Sequence, residues 1–449
     1  MHPHQSPPRT TLVAGLALLA ITAGTWPRVL RSQQPPSPAP LTLAAARAAA
    51  RRVSPDLRAA REAVAAAAAR ERQAAALPNP TLAYGREQTS RGGQRNAQDV
   101  AQLEQPLEIG GQRGVRREAA RLRGAAAAAR LAVAEAQLDF DVARAYATAV
   151  AAERRATLAE QAAGAFTDAE RVSDRRLAAG DVSGYAARRL RLEAARYASL
   201  RAEAALARRT ARIALASLIG ARADTLALPL TLGDSAVRAA SSLPDADSLR
   251  AVAVRSRAEL RAAVLEADAA AAEARLAARE RIPSPTLAAG YKHERVEDGV
   301  TGSSGASLSG FVAGVSLPLP LFDRRQGAVE AATAETRRRQ AETDALRVRV
   351  AREVDEAAES LRAVEAQVAA LAPELGEGSR SAMRAVQAAY AEGEITLVEW
   401  LDAVRAYQEA ESSYATLQAE AAVRRAALER AVGTPLTSDR TARGPASRE

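Results

Sequence analysis

The sequence predicts a mainly α-helical protein of long paired helices that also carries two short β-hairpins, and three observations predict it. Ala, Leu, Arg and Glu dominate a chain of 449 residues in which only 3% are aromatic. Alanine has the highest helix propensity, and its small side chain lets helix backbones come close. The chain also repeats itself once, and its helical runs are too long for the core of a globular domain.

Composition removes several chemistries. With no cysteine there is no disulfide framework, thiolate metal site, Cys nucleophile or acylated N-terminal cysteine. The three histidines, His2, His4 and His293, are too few for a histidine zinc site, and a Ser-His-Asp triad has almost no material. The net charge of +9 is spread through both halves and mixed with acids, without aromatic interleaving, so no nucleic-acid groove is expected.

At the N-terminus Arg9 precedes an apolar run, Thr11 to Ala23, and a proline-rich stretch, Gln33 to Pro40. This order reads as a signal peptide over 1–32 and a linker over 33–41. The run is shorter than the roughly 20 residues that span a bilayer as a helix. No later apolar stretch is longer, so any membrane crossing must use strands.

Two copies follow, at 42–235 and 240–433, with a tail at 434–449. Pro78-Asn79-Pro80-Thr81-Leu82 recurs as Pro283-Ser284-Pro285-Thr286-Leu287, Gln105-Pro106-Leu107 as Leu317-Pro318-Leu319, and Gly114 as Gly327. Gly180-Asp181-Val182-Ser183 recurs as Gly393-Glu394-Ile395-Thr396, and Gly220 as Gly433. The second copy is longer between its first two markers, which predicts a surface loop over Glu294 to Ser307.

The elements come in the same order twice. A helix is predicted over Leu43 to Leu77, broken at Ser54-Pro55, and over Ala246 to Ile282. A proline-bounded hairpin follows at about 81–107 and about 286–319, each with a Gly-rich middle. Next comes a very long helix, Gly114 to Ala179 and Gly327 to Ala391, the latter loosened at Pro373 and Gly376-Glu377-Gly378. A glycine turn at 180 or 393 leads into a last helix that ends at the C-cap signals Gly220 and Gly433. A run of roughly 65 residues at about 1.5 Å each is close to 100 Å long. Such a helix must lie beside others of its kind. Leu131, Leu138, Val142, Tyr146 and Val150 mark a narrow packing stripe, and the flanking Arg and Glu read as a solvated face.

In the second hairpin Ser309, Phe311, Ala313, Val315 and Leu317 alternate with Gly310, Gly314 and Ser316, as in a strand with one apolar side. In the first, Asp99 falls in line with Ala97, Ala101 and Leu103, so the pattern leaves a membrane hairpin and a solvated one both open. Four strands cannot close a barrel, because the smallest membrane barrels have about eight. Closure needs several chains. Gly110, Gly111, Gly114 and Gly327 sit where strand passes into helix and read as hinges; no phosphate-loop motif accompanies them. In each turn the glycine permits positive φ and the hydroxyl residue can cap the returning helix. His293 with Glu294, Glu297 and Asp298 reads as a solvated loop, with no metal site and no cofactor expected.

These residues resemble the outer membrane efflux proteins of the TolC type over about 41–433. Leu77-Pro78-Asn79-Pro80 and Gln105 to Arg113 look like the heavy-metal cation (Czc-type) branch, and Tyr390 to Thr396 with Leu397 to Asp402 looks like the family's second periplasmic turn. The resemblance implies a homotrimer whose twelve strands form an outer membrane barrel embedded in lipid and whose helices form a periplasmic tunnel. It also implies extracellular loops at 86–96 and 294–307, and no catalytic activity. A periplasmic adaptor would dock at the tips, Gly180 to Ser183 and Gly393 to Thr396, together with an inner-membrane pump of the RND type. Glu399 and Asp402 would project into the tunnel entrance and favour cations. Ala186 stands where an acidic pore-closing partner is found in the family, which argues against a link that holds the tip shut through Tyr390. Efflux of drugs or other small molecules is the alternative cargo. The alternative of another class is a periplasmic coiled-coil adaptor or structural protein; an adaptor has one helical hairpin, whereas this chain has two.

Overall fold

The computed structural model describes residues 40–92, 94–229, 232, 243–298, 304–375 and 377–436. The predicted signal peptide and nearly all of the C-terminal tail lie outside the described residues. The first repeat contains α1 (Leu43–Val53), α2 (Pro55–Ala74), β1 (Thr81–Arg91), β2 (Gln94–Pro106), α3 (Gln112–Ala179) and α4 (Gly184–Ile219). The second contains α5 (Ala246–Ser256), α6 (Ala258–Arg279), β3 (Thr286–Asp298), β4 (Ser304–Ser316), α7 (Gln326–Leu371), α8 (Glu377–Glu392) and α9 (Leu397–Val432).

Local chemistry sets most boundaries. Ser54 accepts from the Leu57 N–H while Pro55 opens α2, so one serine–proline pair ends one helix and starts the next. Thr42, Asp245, Ser183 and Thr396 cap α1, α5, α4 and α9 in the same way. At 68 residues α3 is about 100 Å long. Its counterpart in the second repeat is not continuous. It breaks into α7 and α8 around a 3₁₀ turn at Ala372–Glu374, because Pro373 cannot continue the i→i−4 ladder.

One break has no signal of its own in the sequence. The run expected over Ala246 to Ile282 divides at Arg257, whose guanidinium is buried and pairs with Glu259 and, at 2.5 Å, with Glu353. Ser256 Oγ donates to the Val432 carbonyl, and Gly433 lies so close that a Cβ there would stand 2.9 Å from Arg257 Cα. Gly433 and Gly180 have nearly equal φ, +82° and +83°, but Gly180 has open space around it. Gly180→Ala is therefore expected to cost only the left-handed conformation, about 1–2 kcal/mol. Gly433→Ala adds a backbone collision, so thermal unfolding should shift further for Gly433→Ala than for Gly180→Ala.

The long helices pack side by side. Toward the strands the order is α2, α3, α6, α7; toward the glycine turns α4, α3 and α9 lie side by side, with α8 on α9. Apolar clusters sit where α1 covers α3 and α4, and where α5 covers α7 and α9. Several arginines also join neighbouring helices: Arg123–Glu273 and Arg130–Glu266 link α3 to α6 while both arginines stay exposed, Arg212–Glu153 links α4 to α3, and Arg154–Glu411 links α3 to α9.

The strands make one antiparallel sheet in the order β1-β2-β3-β4, so the two hairpins pair through β2 and β3. Much of the expected loop over Glu294 to Ser307 is strand: β3 continues to Asp298 and β4 begins at Ser304. The same holds for 86–91 and 94–96 in the first hairpin. The added residues lengthen the hairpin because β3 finds partners in β2 as far as Gln94–Asp298.

Candidate functional site

The register assigns every strand residue to one of two faces. On the first face the lower rows are largely apolar: Leu287 between Val315 and Gln105, whose amide donates to the Pro78 carbonyl; then Leu82, Leu103, Ala289 and Ala313; then Tyr84, Ala101, Tyr291 and Phe311. Tyr291 and Phe311 meet edge to face, 6.0 Å between centroids. The next row is polar, with Arg86, Asp99, His293 and Ser309. Asp99, which spoiled the alternation in the sequence, sits in this row, where it accepts from Tyr84 Oη at 2.7 Å and lies opposite Arg86. His293 Nδ1 is 2.8 Å from Ser309 Oγ. The other face carries Glu87, Gln98, Gln102, Glu104, Lys292 and Glu294 among the small residues Gly85, Gly290, Gly310 and Gly314 and the apolar Val100, Val296, Leu308 and Val312. One face is thus largely apolar up to a sharp polar boundary, while the other carries most of the charged and amide side chains of the lower rows. The three aromatic residues of the strands, Tyr84, Tyr291 and Phe311, are gathered into one row at that boundary.

The predicted hinge glycines take different positions. Gly110 is buried against Gln112 and Ile282, and Gly111 is the left-handed N-cap of α3 at φ +73°. Gly114 and Gly327 lie within the first turns of α3 and α7 with open space around them. Gln112 Nε2 donates to the Ile282 carbonyl at 3.1 Å, tying the start of α3 to the second repeat.

At the opposite end the turns at Gly180 and Gly393 both adopt positive φ, +83° and +88°. Asp181, Ser183, Glu394 and Thr396 are exposed, and Val182 and Ile395 are half-buried. Thr396 and Glu399 form a capping box: Glu399 Oε2 accepts from the Thr396 N–H and hydroxyl, both at 2.8 Å, while Thr396 Oγ1 accepts from the Glu399 N–H. The Thr396 N–H, then its hydroxyl, hold the Glu399 carboxyl below the usual range. Asp402, one turn further on, is exposed.

Sequence reasoning missed what holds the two turns together. Arg176 Nη2 donates to the Ala391 carbonyl at 3.0 Å and its guanidinium lies 5.9 Å from the centre of the Tyr390 ring. Beneath it Tyr390 stacks on Trp400, Phe166 meets Trp400 edge-on at 4.9 Å, and Tyr197 stacks on Phe166 at 4.0 Å. Four aromatic residues from four helices thus converge at this end. Their clustering could not be read from spacing along the chain, because they come from four helices, two in each repeat. Among the described residues no group of His, Asp and Glu could hold a metal ion, and no helix is long and apolar enough to cross a membrane.

Residues 249–434 match the outer membrane efflux protein family. The chain is 27% identical over 344 residues to the cobalt-zinc-cadmium resistance protein CzcC of Cupriavidus metallidurans, covering 76% of this chain and 78% of that one. It is 29% identical over 295 residues to the nickel-cobalt-cadmium resistance protein NccC of Alcaligenes xylosoxydans xylosoxydans, covering 64% and 62%. Its fold matches the solved structure of the channel CusC with a TM-score of 0.70 at 19% identity, over 88% of this chain and 93% of that one.

Proposed function

We propose, for a chain that belongs to the outer membrane efflux protein family, that three copies close a twelve-stranded outer membrane barrel continuous with a periplasmic tunnel of helices. The observation that carries this reading is the two-faced sheet with both edge strands, β1 and β4, unpaired within the chain. Exposed strand edges are costly in lipid, where no water satisfies them, and closure with further copies removes them. The apolar face then meets hydrocarbon and the polar face lines the conduit. Such a channel conducts passively; binding and energy coupling belong to an inner-membrane pump reached through a periplasmic adaptor.

The cargo that the relatives favour is divalent metal cations. The acidic groups on the polar face, with Glu399 and Asp402 in three copies near the entrance, would concentrate cations and repel anions. Deleting the gene should raise sensitivity to cobalt, zinc, cadmium or nickel, and complementation should restore resistance. Sensitivity to hydrophobic compounds alone would instead assign the channel to drug efflux.

The adaptor would meet the turns Gly180–Ser183 and Gly393–Thr396. Val182→Asp places a charge in the half-buried hydrophobic position of one turn without touching the aromatic cluster. It is expected to abolish metal resistance while a heat-modifiable trimer still forms; full resistance would move the docking site elsewhere.

A further inference from the structure

The largely apolar face of the sheet does not end at its polar boundary: above it, away from the helices, stand three arginines, Arg86, Arg295 and Arg95. On the reading that this face meets the membrane, we infer that its upper part is a basic belt that binds the phosphates of an outer-leaflet glycolipid.

The height of the apolar band fixes where the belt lies. A barrel in the outer membrane carries an apolar band about 25 Å tall. A strand rises about 3.4 Å per residue and tilts by about 40°, so each two-residue row adds roughly 5 Å of height. From the row of Tyr84, Tyr291 and Phe311 down through Ala313, Val315 and Leu317 to Leu319 the face covers roughly 21 Å. The exposed Leu77, Ile109 and Leu321 follow on the connectors just below. The band therefore reaches its full height downward, onto the connectors, because the row above the aromatic residues holds Arg86, Asp99, His293 and Ser309. Yet β3 continues past Tyr291 to Asp298, roughly 18 Å higher by the same geometry. The helices lie in the periplasm, so this upper part of the sheet rises out of the hydrocarbon on the outer side of the cell.

Charge divides the two sides of that upper part. The side continuous with the apolar face carries Arg86 opposite Asp99, Arg295 opposite Ala97, and Arg95 opposite Glu297. The other side carries Glu87, Glu294 and Asp298 against Arg91 and Lys292. Asp99 already accepts from Tyr84 and lies 3.9 Å from Arg86. Arg95 and Arg295 are exposed, and among the described residues neither makes an ion pair. They are diagonal neighbours across β2 and β3, with Cβ atoms about 7–8 Å apart, so their long side chains can converge on one phosphate with paired N–H donors. The headgroup zone of a phospholipid leaflet is only about 5–8 Å deep. These two arginines stand roughly 10 and 15 Å above the aromatic row, at the depth of a phosphorylated sugar headgroup.

The test titrates the full-length, detergent-purified protein with three probes: lipopolysaccharide with a phosphorylated inner core, the same material dephosphorylated with hydrofluoric acid, and phosphatidylglycerol. The unaltered protein is expected to bind the phosphorylated lipopolysaccharide several-fold more tightly than either other probe. Arg95→Gln/Arg295→Gln should remove that preference, whereas Arg91→Gln/Lys292→Gln, which deletes the same charge from the opposite side, should keep it. Should the first pair fail to yield folded protein, Arg295→Gln alone is expected to weaken binding in the same direction. Equal binding with and without phosphates, or equal loss in the two double variants, would overturn the belt. Phosphatidylglycerol bound as tightly as lipopolysaccharide would overturn the glycolipid as its occupant. Absence of the unaltered protein from the outer membrane as a heat-modifiable trimer would instead overturn the reading on which the belt rests.

Discussion

Leu103→Arg is expected to abolish assembly in the outer membrane, whereas Gln102→Arg, one residue away, leaves it intact. Leu103 stands in the middle row of the apolar face, half exposed in the single chain. A guanidinium at the centre of the hydrocarbon layer costs about 2–4 kcal/mol on a barrel strand, and three copies repeat the cost. Gln102 points to the opposite face and its side chain donates to Glu104 at 2.8 Å, so an arginine there gains a carboxylate partner in water. Fractionation and heat-modifiable migration measure both outcomes. Equal behaviour of the two variants would mean that the sheet is wetted on both sides.

The second large effect is expected at the other end of the molecule. Trp400 is fully buried, stacked on Tyr390 and edge-on to Phe166. Truncating such a side chain to alanine removes its transfer energy and leaves a cavity, about 3–5 kcal/mol together. The loss falls on α8, a 16-residue helix that packs chiefly on α9 and is separated from α7 by the Pro373 break. Trp400→Ala should therefore speed proteolysis and amide exchange between α7 and α9 and leave the sheet unchanged. Tyr185→Ala, at the 77% exposed neighbour of the first turn, should change neither.

Much of this architecture was legible in particular residues. Ser54-Pro55, Pro373 and the glycines at 180, 220, 393 and 433 end or turn helices through their own φ, ring or hydroxyl, so those boundaries were readable from the chain alone. The doubling of Pro78 to Leu82 and of the glycine turns located both hairpins and both reversals. Asp99 could not be placed in the same way, because its tolerance on an apolar face depends on Tyr84 and Arg86 in another strand. Nor could Arg176, whose partners Ala391 and Tyr390 belong to the other repeat.

What the sequence by itself determined is therefore the order of the elements and the turns between them, since capping, proline and glycine chemistry and alanine propensity act within a few residues. The tertiary structure alone decided the break at Arg257, the strand pairing that extended the second hairpin, the arginine links between helices and the aromatic cluster at the turns. Each of these depends on a contact between groups far apart in the chain, where the energy belongs to the pair and neither residue carries it alone.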